Sequence, residues 1–328
     1  MIISKTPFRV SFFGGGTDYP VWYRENTGAV LVTTIDKYCY ITCRYLPPFF
    51  EHKHRIVYSK IENVKYTNEI QHPAVKSILE FCEIDKGIEI HHDGDLPARA
   101  GLGSSSSFTV GLLHSLYALK GYIISEDQLA KKAIYIERDI LKENVGSQDQ
   151  VAVSYGGFNK IIFNKDDEFR VDPVTIKKER IQQLQDHLML IYTGFSRYAS
   201  DIAKEQIKNT PNKKKELSIM QQMVDKAIGI LNNDGDIIEF GKLLHEAWQV
   251  KKDLSDKISN SVVDEIYDRT LKAGAIGGKL LGAGGGGFML LFASPERHQK
   301  IREVLKGILE VNFSFENEGS RIIYYSGQ

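Results

Sequence analysis

Leu96-Pro-Ala-Arg-Ala-Gly-Leu-Gly-Ser-Ser-Ser-Ser-Phe108 sets two glycines one residue apart, ahead of a run of serines. An apolar helical pattern follows (Val110, Leu112, Leu113, Leu116, Leu119), and Gly87-Ile-Glu-Ile-His91 upstream alternates as a strand does. A strand, a glycine loop with hydroxyls and a helix start together form an anion-binding arrangement. The unpaired N–H groups of a first helical turn point at the ligand, and the helix dipole favours negative charge there. Glycines let the backbone approach phosphate oxygens closely.

Other phosphate-loop families are excluded by what surrounds the glycines. A P-loop needs Gly-Lys followed by Ser or Thr, but Gly241-Lys242 and Gly278-Lys279 are each followed by Leu. Gly282, Gly284 and Gly287 match the spacing of a dinucleotide fingerprint. A strand pattern follows them where a helix should open, so a nicotinamide-dependent oxidoreductase has only that weak support. Protein-kinase catalytic-loop motifs are missing.

The bulk numbers describe an ordinary globular chain. Its 328 residues suggest two domains, and 42% are hydrophobic. Lys+Arg and Asp+Glu balance at 42 each, which gives no field for nucleic acid or an anionic membrane. The Lys213-Lys214-Lys215 run reads as a solvated helix face or loop. Three cysteines (Cys39, Cys43, Cys82) make no disulfide framework, which points to a reducing, cytoplasmic setting. No signal-peptide region and no long apolar stretch is present, so neither secretion nor a membrane span is expected.

Taken in order, Ile2 to Phe13 is a strand with Pro7 at an edge or bulge, and Gly14 to Pro20 is a glycine loop before a short helix. Ala29 to Tyr45 reads as two strands broken near Asp36-Lys37. Ser125-Glu-Asp-Gln128 is a capping box opening a helix to about Lys142, with Glu137 and Arg138 among its apolar positions. His187 to Thr193 is a strand followed by the Gly194-Phe-Ser-Arg197 loop. Long amphipathic helices then alternate with few strands: Tyr198–Asn209, Lys214–Asn232, Asp236–Lys252 and Asn260–Ala273. Two strands flank Gly282 to Gly287, and a helix over Pro295–Leu309 precedes strands at Val311–Phe315 and Ile322–Tyr325. The class is α+β, with domains expected at 1–185 and 186–328.

Three stretches now stand together: Thr6-Pro-Phe-Arg-Val-Ser-Phe-Phe-Gly-Gly-Gly-Thr-Asp-Tyr19, Leu96 to Ser105, and Lys279-Leu-Leu-Gly-Ala-Gly-Gly-Gly-Gly-Phe288. In that order the chain resembles the GHMP kinases (galactokinase, homoserine kinase, mevalonate kinase, phosphomevalonate kinase). The first stretch looks most like the D-glycero-D-manno-heptose 7-phosphate kinase branch. The resemblance implies a two-domain fold, an N-terminal domain like ribosomal protein S5 domain 2 and a ferredoxin-like C-terminal one. It also implies ATP and Mg2+ as cofactors, a small-molecule sugar phosphate as substrate, and leaves room for a homodimer. The product would be a sugar 1-phosphate destined for nucleotide-activated heptose and surface polysaccharide.

Roles follow residue by residue from that resemblance. Pro97, Arg99, Ala100, Gly101, Leu102, Gly103, Ser104, Ser105 and Ser106 would cradle the nucleotide phosphates. Ser105 and Glu137 would hold Mg2+, which needs only one or two protein oxygens. Asp149 would orient or deprotonate the acceptor hydroxyl, and Arg9 would stabilise the transferring group. Gly15, Gly16, Thr17, Asp18 and Tyr19 would meet the sugar, together with Gly284 and Gly285. Gly15 and Gly16 stand where the galactokinase pattern has Glu-His, which argues against galactose and leaves room for a bulkier sugar. Arg197 would grip a phosphate already on the substrate, as a guanidinium pairs bidentately with phosphate. Two readings remain open beside this one: a kinase for an unphosphorylated sugar such as fucose, and a catalytically silent sugar or nucleotide sensor on the same fold.

Overall fold

A computed structural model describes residues 1–98, 100–194 and 199–326. Strand β1 (Ile2–Phe13) and the long β2 (Gly28–Tyr45) form an antiparallel pair at the centre of the first sheet, with the short helix α1 (Pro20–Asn26) between them. The predicted break near Asp36-Lys37 is a bulge in one continuous strand. Pro7 faces Tyr38 but Phe8 faces Ile35, so Asp36 and Lys37 are looped out. Their polar groups are met by the far end of the chain. The Asp36 N–H donates to the Ser314 carbonyl (2.9 Å), and the Ser314 N–H donates to Asp36 Oδ1 (2.8 Å). Pro7 has no N–H to lose at this point, which is why a proline is tolerated inside the strand.

Strands β3 (His54–Val57), β4 (Ile61–Val64) and β5 (Ile88–Gly94) extend this sheet, with helix α2 (Pro73–Phe81) inserted between β4 and β5. The sequence reading missed β4. Helix α3 (Ser104–Leu119) lies on β1 and β2 and is buried on most of its circumference, from Ser106 through Leu119. Helices α4 (Glu126–Tyr135) and α5 (Gln148–Tyr155) cover it. The capping box of α4 forms as expected, Ser125 and Gln128 bonding each other's backbone N–H. The helix does not run on to Lys142 as a regular α-helix: Ile136–Ile140 is a π turn, with the Leu141 N–H donating to the Ile136 carbonyl (2.8 Å). Strands β6 (Phe158–Phe163) and β7 (Phe169–Pro173) complete the excursion, β6 pairing with β2.

Helix α6 (Lys178–Asp186), which was not anticipated, leads into β8 (Leu188–Tyr192) of a second sheet. Helices α7 (Ala199–Asn209), α8 (Lys214–Asn232), α9 (Ile238–Lys252) and α10 (Ser261–Ala273) come next. Strands β9 (Gly277–Leu280) and β10 (Phe288–Phe292), helix α11 (Pro295–Val304) and β11 (Leu309–Glu310) close this part, giving an antiparallel order β11-β8-β10-β9. The chain then returns to the first sheet. Strand β12 (Phe315–Glu316) pairs with β2, and β13 (Arg321–Tyr325) pairs with β1. A cut after residue 185 therefore separates the two sheets except for these last strands, which belong structurally with the first. Among the described residues no helix is long and apolar enough to cross a membrane.

The two halves meet where glycine runs touch. A Cβ on Gly282 would lie 2.6 Å from the Gly101 Cα, and one on Gly101 would lie 2.5 Å from the Leu281 carbonyl oxygen. The Phe288 N–H donates to the Ala100 carbonyl (2.9 Å) beside this contact. The obstacle at Gly282 is backbone, which cannot rotate away, and its φ of +70° already disfavours a side chain. Gly282→Ala is therefore expected to lower the urea midpoint by the equivalent of about 2 kcal/mol or more at unchanged m-value. An equilibrium urea titration followed by circular dichroism checks this.

Candidate active site

The loop between β5 and α3 ends with Ala100 and Leu102 buried as anchors and Gly103 at the N-cap of α3, in the left-handed region (φ 78°). The first-turn N–H groups of this 16-residue helix face outward along its axis, where an anion can use them. Arg99 lies outside the described residues, and Pro97 is exposed at the loop's entrance.

Arg9, on β1, reaches this loop from beneath. Its own N–H donates to the Leu102 carbonyl (3.0 Å), and its Nη1 donates to the Gly101 carbonyl (2.6 Å). The rest of the guanidinium makes a two-pronged bond to Asp149: Nε to Oδ1 at 2.7 Å and Nη2 to Oδ2 at 2.6 Å. Such bidentate charge-assisted pairs fix orientation as well as energy. Gly103 leaves room for them, since a Cβ there would touch the Arg9 Cγ at 3.1 Å. Asp149 sits in the first turn of α5, and its neighbour Gln148 accepts a bond from the Ser11 hydroxyl (2.8 Å). Residues 140 apart in sequence thus meet at the start of α3.

Asp18 is 2% exposed, in the Gly14–Tyr19 loop. Its Oδ1 accepts the Gly16 N–H (2.8 Å), and its carbonyl accepts the Ser147 N–H (2.9 Å). The space for its carboxyl exists because residue 146 is glycine: a Cβ there would lie 1.8 Å from Asp18 Oδ2. Burial pushes the Asp18 carboxyl up from 3.8 to about 6; the Gly16 N–H opposes the rise and the Asp149 charge adds to it. Thr17 is differently employed from what was expected. Its hydroxyl is fully buried and donates to the Gly14 and Ala29 carbonyls (2.8 and 2.9 Å), so it locks the loop rather than facing a sugar. Tyr19 is buried and its hydroxyl is pushed far up by burial. Gly15 is the more open of the loop's glycines, with only Gln148 near it.

Glu137 follows Ala130 and Ala133 on the buried face of α4 and lies in the π turn, wholly shielded from solvent. Its Oε2 accepts from the Ser106 hydroxyl (2.9 Å) and from the Gln150 side-chain amide. Its Oε1 makes no well-formed hydrogen bond, although the Thr109 hydroxyl interacts with this carboxyl and opposes the effect of burial. Burial raises this carboxyl from 4.5 to about 7. A buried carboxyl beside a hydroxyl at a helix start is a fitting donor set for a hard cation. Among the described residues no cluster of three or more His, Cys, Asp or Glu side chains offers an alternative. The hydroxyl that meets Glu137 belongs to Ser106; Ser105, the residue anticipated for that role, is exposed on the first turn of α3.

The second glycine run works as a buttress. Gly285 donates its N–H to the Ile258 carbonyl (2.8 Å) and accepts from Asn260 (3.1 Å), while a Cβ on Gly284 would strike Ile258. These two glycines, expected to meet substrate, are instead packed into their own domain, and Gly282 and Gly287 make the contacts to the phosphate loop. Arg197 lies outside the described residues. Sequence reasoning missed two buried lysines close by. Lys279 Nζ donates to the Ser11 and Phe12 carbonyls of β1 (2.9 and 2.8 Å), and Lys251 Nζ donates to the Gly282 carbonyl. Lys251 was findable: with Leu244, Ala247 and Trp248 it falls on one apolar helical stripe.

The shift at Asp18 has a definite sign. Between about pH 4 and 6 the folded chain keeps a proton on Asp18 that the unfolded chain has released. Its contribution to stability therefore declines as pH rises through that window and stays lost above it. Asp18→Asn, which cannot ionise, is expected to be more stable than the parent by about 1–2 kcal/mol at pH 7.5. The gap should close below pH 4; thermal melts across pH 3.5 to 8 read it directly.

Residues 68–157 match the family model described as GHMP kinases N terminal domain, and residues 226–309 match GHMP kinases C terminal. A curated relative, D-glycero-alpha-D-manno-heptose 7-phosphate kinase of Campylobacter jejuni, is 30% identical over 97% of both chains. Galactokinase of Pyrococcus furiosus is 27% identical, covering 96% of this chain and 95% of its own. Among solved structures, a D-glycero-D-manno-heptose 1-phosphate kinase from Bacteroides thetaiotaomicron superposes with a TM-score of 0.81 at 22% identity over the full length of both chains. With both domain models in order along it and a relative spanning nearly its whole length, the chain belongs to the GHMP kinases and is an ATP-dependent small-molecule kinase.

Proposed function

We propose that this kinase is a sugar kinase that transfers the γ-phosphoryl group of ATP to the anomeric (C1) hydroxyl of a heptose 7-phosphate. The observation that carries the chemistry is the Arg9–Asp149 fork at the N-terminus of α3. Phosphoryl transfer is catalysed mainly by positioning and by electrostatic stabilisation. The fork supplies both. Arg9 occupies two of the four lone-pair sites of Asp149, and the others can accept the C1 hydroxyl proton. The guanidinium, held by the Gly101 carbonyl, stands beside the helix start where charge develops on the transferring group. Asp18, freed of competing side chains by Gly146, is the acceptor for a second sugar hydroxyl.

Mg2+, held by Glu137 with a hydroxyl from Ser106, would neutralise charge on the nucleotide phosphates. Ser105, exposed on the same turn, faces solvent rather than Glu137 and is assigned to the phosphates. The choice of a heptose 7-phosphate draws on the similarity to the Campylobacter jejuni heptose 7-phosphate kinase and on the small Gly15-Gly16 pair. Arg197 is the proposed partner of the distal phosphate, on sequence grounds.

Coupled measurement of ADP release across a panel of sugars tests the substrate. Turnover should be fastest with the heptose 7-phosphate, and faster turnover of fucose or another free sugar would sink the assignment. Asp149→Asn is expected to lower kcat by about 10²–10⁴ while nucleotide affinity changes little. Activity near the parent's would remove Asp149 from the chemistry and favour a different base. Glu137→Gln should raise the Mg2+ concentration for half-maximal rate by about tenfold or more. An unchanged Mg2+ titration would place the cation elsewhere.

A further inference from the structure

Three cationic side chains are buried around the fork: Arg9 at 3% exposure, Lys251 at 5% and Lys279 at 4%. Only Arg9 has a carboxylate. Among the described residues neither lysine has an acidic group within ion-pair distance, and both give their N–H groups to main-chain carbonyls. Carbonyl dipoles satisfy the donors but leave each full charge unmatched, and an unmatched buried ammonium is costly. Asp18, buried close by, is raised only to about 6 and is not paired with either lysine, so the Lys251 ammonium keeps a charge that no carboxylate meets directly.

Lys251 is placed to direct that charge at the phosphate loop. Its ammonium holds the Gly282 carbonyl, with the Leu280 carbonyl at 3.5 Å. Gly282 lies backbone to backbone against Gly101, and the Gly101 carbonyl takes Arg9 Nη1. The chain of contact runs Lys251, Gly282, Gly101, Arg9, Asp149 without a gap.

We propose that Lys251 is a positioning and charge-complementing residue for the nucleotide, whose polyphosphate supplies the counter-charge this ammonium lacks in the free protein. It replaces from the second domain what the loop lysine provides in P-loop proteins, which this loop has not got. The inference rests on the reading of the α3 loop as the ATP site. Burial lowers the Lys251 ammonium to about 8; the Arg9 charge adds to the fall, and Asp18 and Asp149 oppose it. An incoming anion would oppose that fall. The lysine acts through the Gly282 peptide, so it is not assigned a place on the reacting atoms.

Calorimetric titration of the parent, Lys251→Met and Lys251→Arg separates this from a purely structural role. The probes are a non-hydrolysable ATP analogue with Mg2+, inorganic tripolyphosphate, and the sugar phosphate alone. Lys251→Met should bind the analogue and tripolyphosphate about tenfold or more weakly, with sugar phosphate affinity within about twofold of the parent. Its ligand-free melting temperature should be no lower than the parent's, because an unmatched buried charge has gone. Lys251→Arg should recover most of the nucleotide affinity. Equal loss for all three ligands, or unchanged nucleotide affinity in folded Lys251→Met, overturns the proposal. If Lys251→Met does not fold, Lys251→Gln is read by the same criteria. Failure of the parent itself to bind the nucleotide refutes the kinase site rather than the lysine's part in it.

Discussion

A guanidinium buried to 3% exposure needs hydrogen-bond partners, and Arg9 finds them on two separate elements. Its Nη1 fixes the Gly101 carbonyl in the phosphate loop, its fork fixes Asp149 at the start of α5, and its backbone N–H fixes Leu102. Because it sits on the central strand of the first sheet, these bonds refer the loop and the helix to one rigid origin. Removing either side would leave a buried charge without compensation, the costly case for ion pairs. The positions of the glycine loop and of Asp149 are thus set by the same side chain. The first domain alone brings together this loop and the carboxylate beside it.

The second domain acts on that arrangement through backbone rather than through side chains. Gly282 and Gly287 let it come within van der Waals contact of Ala100 and Gly101, and a side chain at either place would hold it off. Lys279 reaches across to the Ser11 and Phe12 carbonyls, two and three residues beyond Arg9 on the same strand. The strand that carries Arg9 is therefore clamped from both sheets, and a relative movement of the domains would be felt at the fork. The buried lysine on two carbonyls has a physical reason: hydrophobic side chains could fill the volume but would not fix strand and loop in register.

How much of this could be read from the sequence depended on whether the signal was local. The strand–glycine–serine–helix order near Gly101 and the strand ahead of Gly14 are local patterns, and both stand in the structure. A family resemblance put Arg9 and Asp149 in one site but not in one ion pair, since nothing in a linear chain states that residues 140 apart will touch. Other features turned on partners that are invisible in sequence. Thr17 looks like any exposed polar loop residue until its hydroxyl is seen bonded to Gly14 and Ala29. Gly284 and Gly285 look like Gly282 until Ile258 is seen packed against them. The continuity of β2 through Asp36 depended on chain that returns from Ser314, nearly three hundred residues later. Lys251 differs from these, because its place on the apolar stripe of α9 was legible and a lysine there demanded an explanation.

The buried charges share one logic. Asp18 is held in a space that disfavours its charge, Glu137 has an oxygen without a well-formed hydrogen bond, and Lys251 and Lys279 have no ion-pair partner among the described residues. Each is a cost in the free protein, and each has the sign or the vacant lone pair that a sugar hydroxyl, a cation or a polyphosphate would satisfy. A fold optimised only for stability would replace them with apolar groups, as buried polar sites commonly permit. Grouped near the Arg9–Asp149 fork, they are terms that the proposed ligands would relieve together. Anything that binds the native state alone stabilises it by mass action, and here the stabilisation is concentrated where the chain is least content without it. On the proposed reading, Arg9 sets the geometry of the site and the substrates supply the partners that these groups lack.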